Sequence, residues 1–64
     1  MELVIFLVGN NDPIILREKE INDRRTVKEI YKEYLDGAVF LSIGNDNALL
    51  GFNTKNISLM ILDE

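Results

Sequence analysis

The sequence predicts an α+β fold: a small ββαβββ meander in which one amphipathic helix packs on one face of a mostly antiparallel sheet of four to five strands. Three observations predict this class. An unbroken apolar run occupies residues 3–8, one stripe with the helical period follows Thr26, and from Ala38 onward the apolar period is two. The 64 residues contain no linker, internal repeat or low-complexity segment, so we predict a single small domain over residues 1–64.

The run at residues 3–8 is predicted to be the first strand. Successive strand side chains point to opposite faces, so both faces of this strand are apolar, and such a strand belongs in the middle of a sheet. A turn signal follows at residues 9–13, where Gly and Asn tolerate a positive φ and Pro13 cannot donate to a ladder. Residues 14–21 then begin apolar and become charged, which is typical of a strand that runs out along an exposed edge. We predict that these two strands form a hairpin.

The amphipathic helix is predicted to run from about Thr26 to Asp36. Thr26 and Glu29 have the spacing of a capping box, and Gly37 can adopt the left-handed conformation that ends many helices. The apolar stripe recurs at i, i+3, i+4, i+7 and i+8, and it consists of Val27, Ile30, Tyr31, Tyr34 and Leu35. The opposite side is charged, so we expect the helix to cover one face of the sheet.

Three further strands are predicted after the helix. Residues 38–43 alternate between apolar and small or polar side chains, and a turn at residues 44–47 leads into a returning strand at residues 48–52. Gly51 is a candidate β-bulge in that strand. The last strand, residues 57–62, again carries apolar side chains on both faces, so we place it in the centre of the sheet with the first.

The strands carry more apolar surface than one helix can shelter. One face of the sheet should therefore stay open, and exposed apolar patches of that size usually mark an interface. We expect a homodimer, formed by sheet-on-sheet packing or by edge pairing. The candidate dimer-interface residues are Val4, Phe6, Val8, Phe40, Met60 and Leu62. The alternative is a sheet that curls enough to bury both of its faces, as small barrels do.

The charges are distributed unevenly along the chain. The formal net charge is −4, from seven Lys and Arg against eleven Asp and Glu, and six of the seven cations lie between Arg17 and Glu33 among interleaved acids. Polyanion binding needs a positive patch, so we expect no nucleic-acid partner. We also expect no membrane association, because the apolar runs are far shorter than a membrane span and the amino terminus lacks the pattern of a targeting signal. Together with the absence of cysteine, this favours a cytoplasmic protein.

The residue types that most catalytic sites need are missing. The chain has no histidine and no cysteine, so the usual nucleophile–base pairs and zinc sites cannot be assembled. The two serines, Ser42 and Ser58, fall on predicted strands, and the acids fall in turns or on the helix surface, where they should be solvated. The Asn- and Asp-rich turn at residues 44–47 lacks the later bidentate acid of an EF-hand loop. We predict no enzyme, no cofactor and no bound metal.

The first functional hypothesis is a non-enzymatic protein–protein interaction module, a small homodimeric regulator or inhibitor that occupies the surface of a larger protein. By analogy of size and chemistry, phage and mobile-element proteins directed against host systems belong to this group. The candidate partner-binding residues are Arg17, Lys19, Arg24, Arg25, Lys28, Lys32, Glu33, Asn45 and Asp46. Two alternatives stay open: an acidic mimic of nucleic acid, and a nucleotide or small-ligand module that binds at a dimer seam through Arg24, Arg25 and the Asn-rich turns.

Overall fold

The computed structural model describes all 64 residues and confirms the α+β class with a single helix. The helix α1 is Val27–Leu35, and the strands are β1 (Glu2–Leu7), β2 (Ile14–Arg17), β3 (Phe40–Asn45), β4 (Ala48–Asn53) and β5 (Ile57–Asp63). A short 3-10 turn at Glu18–Glu20 follows β2, and another at Thr54–Asn56 precedes β5. Both predicted hairpins, β1–β2 and β3–β4, are present and antiparallel.

The strands form two sheets where the sequence predicted one. A three-stranded sheet has the order β2-β1-β5, and β3 and β4 form a separate two-stranded sheet. The two sheets are joined at a seam, defined as residues 20–22 with residues 44–46: the amide of Asn22 donates to the carbonyl of Gly44 at 2.9 Å, and the amide of Asp46 donates to the carbonyl of Glu20 at 2.8 Å. The predicted strand at residues 14–21 is therefore wrong in its second half, because the chain bends after Arg17 to reach β3.

The two terminal strands take different positions in the three-stranded sheet. The central position predicted for the first strand is confirmed, since β1 pairs with β2 on one side and with β5 on the other. The central position predicted for the last strand is wrong, because β5 pairs only with β1 and lies at the edge. The preceding strand, β4, does not cover the free side of β5, since β4 pairs with β3 in the second sheet.

The core lies between the inner faces of the two sheets and the helix. Leu3, Ile5 and Leu16 from the three-stranded sheet are at most 1% exposed, and Leu41 and Ile43 from β3 are buried to the same degree. The helix contributes Val27 and Ile30, the two residues of its apolar stripe that are fully buried. The remaining core residues are Phe52, Ile57 and Met60. One helix thus closes the space between two sheets.

The helix begins and ends where the sequence predicted. Thr26 is the N-cap: its hydroxyl accepts from the amide of Glu29 at 3.2 Å, and the Glu29 carboxylate accepts from the amide of Thr26 at 2.8 Å, which completes the capping box. Gly37 has a φ of 92°, a left-handed conformation that favours glycine just after a helix.

The β3–β4 hairpin differs from the prediction in its boundaries. Gly44 and Asn45 belong to β3, so the turn is reduced to Asp46 and Asn47. The bulge considered at Gly51 is absent because the register between β3 and β4 is continuous. The ring of Phe40 lies over Gly51 and fills the space that a side chain there would need, since a Cβ at Gly51 would lie only 3.0 Å from the ring. The irregularity of register lies instead between β1 and β5, at Phe6 and Leu7.

The substitution Gly44→Ala tests the seam between the two sheets. A Cβ at this position would overlap the carbonyl oxygen of Asn22, so the backbone must move and the Asn22–Gly44 hydrogen bond must break. We expect a loss of about 3 kcal/mol or more in the free energy of unfolding, measured by urea denaturation. The matched control, Ser42→Ala, is exposed on the same strand and should change stability by less than about 0.5 kcal/mol. Equal stabilities for the two variants would contradict the close approach at the seam.

Candidate functional site: the outer face of the three-stranded sheet

The side of the three-stranded sheet that faces away from the helix is apolar. We call this surface the outer face. Its apolar residues come from all three strands and from the residue after β1, and they are Val4, Phe6, Val8, Ile15, Leu59 and Ile61. The register places Val4 between Ile15 and Ile61, and it places Phe6 beside Leu59. Directly opposed side chains on one sheet face lie within contact distance, so these residues form one continuous patch.

Much of this patch is accessible to solvent. Val8 is 65% exposed, Leu59 51%, Ile61 41% and Ile15 39%, whereas Val4 and Phe6 on the central strand are half-buried between their neighbours. The helix covers the other side of the same sheet, where Leu3 and Ile5 are fully buried. Apolar strand surface thus stays uncovered in the folded chain, and a continuous part of it lies on the outer face.

The structure divides the candidate dimer-interface residues among three places. Val4, Phe6 and Val8 lie together on the outer face. Met60 is in the core at 5% exposure, and Leu62 packs against the core from the same side. These two are therefore not on the outer face, where Leu59 and Ile61 stand instead. Phe40 is 61% exposed but lies on the second sheet.

The alternation of side chains along the last strand predicts which residues share a face. It does not predict which of the two faces turns toward the helix. The choice depends on the register between β1 and β5, which pairs Phe6 with Leu59 and then, across an irregularity, Leu7 with Ile57. Ser58 is the unpaired residue at that irregularity, and its hydroxyl donates to the carbonyl of Phe6 at 3.2 Å. No local pattern in residues 57–62 encodes this pairing.

The outer face is charged at one end. Arg17, Glu2 and Asp63 form a row across β2, β1 and β5. The Arg17 Nε lies 3.1 Å from a Glu2 carboxylate oxygen, and Asp63 forms no ion pair. An open depression of about 380 Å³ lies beside this row and is lined by Met1, Glu2, Arg17, Glu18 and Lys19. The end row therefore carries one net negative charge.

A cation without an ion pair lies near the opposite end of the outer face. Val8 is held there by a hydrogen bond of 2.7 Å from its amide to the carbonyl of Asn56. The neighbouring residue, Lys55, is exposed and forms no ion pair. Lys55 and Asp63 thus stand just before β5 and at its end, so they mark the two ends of this strand.

Two of the candidate partner-binding residues, Arg25 and Glu33, belong to one cluster within the fold. The Arg25 guanidinium donates to both carboxylate oxygens of Asp23, at 2.9 and 2.8 Å, to Glu33 at 2.8 Å, and to the carbonyl of Ser42. Asp23 also accepts from the amide of Gly44 at 3.0 Å. These contacts tie the segment before the helix to both the helix and β3, so Arg25 and Glu33 act first as structural residues.

The electrostatics of this cluster are strong. The side-chain hydrogen bonds from Arg25, supported by the amide of Gly44, hold the pKa of Asp23 well below its usual range. The carboxylates of Asp23 and, to a lesser extent, Glu33 raise the pKa of Arg25. The hydrogen-bonded, charged form of each partner is therefore the stable one.

The other candidate partner-binding residues are scattered over the surface. Arg17 pairs with Glu2 and, at 3.9 Å, with Glu20. Four cations are exposed without an ion pair, namely Lys19, Arg24, Lys28 and Lys32. Asn45 has a buried side-chain oxygen with no hydrogen-bond partner, and Asp46 is an exposed turn residue with a positive φ of 52°. The structure does not bring the nine candidate partner-binding residues together into one site.

Comparisons of the chain with protein-family models, with curated proteins and with solved structures find no match. No helix is long and apolar enough to cross a membrane. No three acidic side chains lie close enough together to hold a metal ion. The function must therefore be inferred from the geometry and chemistry of the surfaces described above.

The substitution Asp23→Asn tests the partly sheltered ion-pair cluster and predicts a pH dependence. Because the folded-state pKa of Asp23 is lowered, its stabilisation is present above the unfolded-state pKa of about 3.9 and is lost as the pH falls below that value. At pH 7 we expect Asp23→Asn to lose about 1 to 3 kcal/mol of unfolding free energy. The difference from the parent protein should shrink as the pH is lowered from about 4.

The matched control for this experiment is Asp12→Asn, which removes an exposed carboxylate that forms no ion pair. This variant should be as stable as the parent at pH 7 and should follow the same acid-unfolding curve. The stability difference for Asp23→Asn should not stay constant as the pH falls from neutral to well below the reference Asp pKa of ~3.9. A constant difference would contradict the stabilisation of the charged Asp23 carboxylate.

Proposed function

We propose that this protein is a non-enzymatic protein–protein interaction module, a small homodimeric regulator or inhibitor that acts by occupying the surface of a larger protein. The observation that carries the proposal is the outer face, a continuous apolar surface on all three strands of one sheet that the chain's own helix leaves uncovered. Patches of this kind on small folded chains usually mark interfaces.

The size of the outer face favours reversible association. Three strands about 4.8 Å apart and about six residues long, at about 3.3 Å per residue, cover roughly 300 Å². Two such faces in contact remove about 600 Å² of mainly apolar surface from water, a gain of about 15 kcal/mol at about 25 cal/mol per Å². Association itself costs about 4 to 15 kcal/mol, and stable dimers usually bury more than about 1,200 Å² in total, so we expect a weak affinity. The expected behaviour is a concentration-dependent equilibrium between monomer and dimer.

The surroundings of the charged residues fit this proposal better than the two alternatives. Four of the acids, Glu2, Glu20, Asp23 and Glu33, are engaged in ion pairs, which leaves fewer carboxylates free to imitate a row of phosphates. Arg25, one of the two arginines expected to hold a ligand, is used to bridge the helix and β3. The depression beside Arg17 is open rather than enclosed, unlike most small-molecule sites.

A larger partner would meet surfaces that dimerisation through the outer face leaves free. The solvent side of the helix carries Lys28 and Lys32 four residues apart, both exposed and without ion pairs, and Arg24 stands just before the helix. These cations suit a partner with an acidic surface, because complementary charge speeds encounter and sets orientation. A chain without cysteine needs no oxidising compartment, which fits action in the cytoplasm.

The double substitution Leu59→Thr with Ile61→Thr tests the outer face as the association surface. Both side chains are about half exposed on an edge strand, and threonine suits strands, so the fold should be retained. We expect the dimer dissociation constant to rise at least tenfold, because about 100 Å² of apolar surface is lost from each copy. Sedimentation equilibrium and light scattering over a dilution series measure this change.

The matched control removes two apolar side chains that are even more exposed, at 71% and 75%, from the second sheet region: Val39→Thr with Leu49→Thr. If association depends on the outer face, this control dimerises like the parent protein. A parent protein that stays monomeric at millimolar concentration, or a control that dissociates as readily as the test variant, would count against the proposal.

A further inference from the structure

We infer that the outer face is occupied by a second copy of this chain, stacked face to face about a two-fold axis that runs perpendicular to the strands. In this arrangement each strand lies antiparallel over the same strand of the second copy, and β5 lies over β5. The inference rests on the proposed function and adds to it the orientation of the second copy.

The charges at the two ends of the face carry this inference. Asp63 ends β5 and has no ion pair, while Lys55 stands just before β5 and has none either. Seven strand residues at about 3.3 Å each separate them by more than about 20 Å, so they cannot pair within one copy. When β5 lies antiparallel over β5, Asp63 of each copy comes over the end that holds Lys55 of the other. The same face on each copy thus supplies both Lys55 and Asp63, and the two copies form two equivalent ion pairs. A two-fold interface requires this equivalence.

A two-fold axis along the strands would be less favourable. It would place the charged row of one copy over the charged row of the other, with Glu2 facing Glu2. Each row contains Glu2, Arg17 and Asp63, so two cations would meet four carboxylates at one edge of the interface. Arg17 is already shared between Glu2 and Glu20, which limits what it can offer Asp63 of the second copy. Like charges brought together at an interface oppose that orientation.

The apolar residues fit the perpendicular axis as well. The row formed by Phe6 and Leu59 lies midway between Val4 and Val8 along the strands. With this row on the axis, Phe6 faces Phe6 and Val4 of one copy faces Val8 of the other. The apolar centre is then buried while the charged ends lie at the rim in water, which is the usual anatomy of a protein interface.

Charge reversal tests the orientation. Lys55→Glu and Asp63→Lys should each weaken the dimer about fivefold to twentyfold at low salt, because two rim pairs become two repulsions. The double variant, which exchanges the charges, should dimerise like the parent protein. Since the two residues cannot meet within one copy, recovery requires contact between copies. The effects should shrink at high salt, where rim charges are screened.

Chemical cross-linking gives a second, independent measurement, because the chain has no cysteine of its own. With a short bis-maleimide, Leu59→Cys should form a covalent dimer, since Leu59 lies near the axis and faces its own copy. Val4→Cys should cross-link poorly, because Val4 faces Val8 of the second copy. Both variants are compared at the same concentration, above the dissociation constant of the parent dimer.

The outcomes separate the inference from the proposed function. One outcome is a dimer that is weakened by Leu59→Thr with Ile61→Thr, shows no recovery in the charge-exchanged variant, and cross-links through Val4→Cys. This outcome overturns the orientation but leaves the outer face as the association surface. A chain that stays monomeric overturns the second copy as occupant. Recovery by charge exchange together with cross-linking through Leu59→Cys supports the inference.

Discussion

The structure depends on one constraint: a nine-residue helix must shelter the apolar faces of five strands. The chain meets this constraint by dividing the strands between two sheets that share the helix and a single core. The helix buries Val27 and Ile30 in that core, against inner-face residues such as Leu3 and Leu41. The outer side of β1 and its neighbours is left without cover. The association proposed for this protein follows from this uncovered apolar surface.

The contacts that join the two sheets also determine which charges are available at the surface. Asp23 and Arg25 hold the segment before the helix against β3, and Glu33 is drawn into the same cluster. These groups are partly sheltered, so their ionic hydrogen bonds are stronger than those of exposed pairs. Two charges without ion pairs, Lys55 and Asp63, stand just before β5 and at its end. A surface with an apolar centre and complementary ends is suited to binding its own copy.

The candidate site could be predicted from the sequence only in part. The run that contains Val4, Phe6 and Val8 is apolar on both faces, a pattern that predicts a central strand but does not say which of its two faces the helix covers. Met60 and Leu62 were assigned to the same surface, but they face the core, because the irregular register at Phe6 and Leu7 determines which side of β5 turns inward. Arg25 was predicted to bind a partner or a ligand, and its role in bridging the helix and β3 arises from residues 8 and 17 positions away.

The sequence by itself determined the local structure: the helix with its capping box at Thr26 and Glu29, the glycine that follows it, and the two hairpins. Each of these depends on interactions between residues close together in the chain, which periodicity and turn chemistry record. Only the tertiary structure decided that the strands form two sheets, that β5 lies at an edge, and that Leu59 and Ile61 face solvent. Those features depend on strand register and on contacts between distant segments, such as that of Asn22 with Gly44. The local sequence pattern of neither segment predicts such contacts.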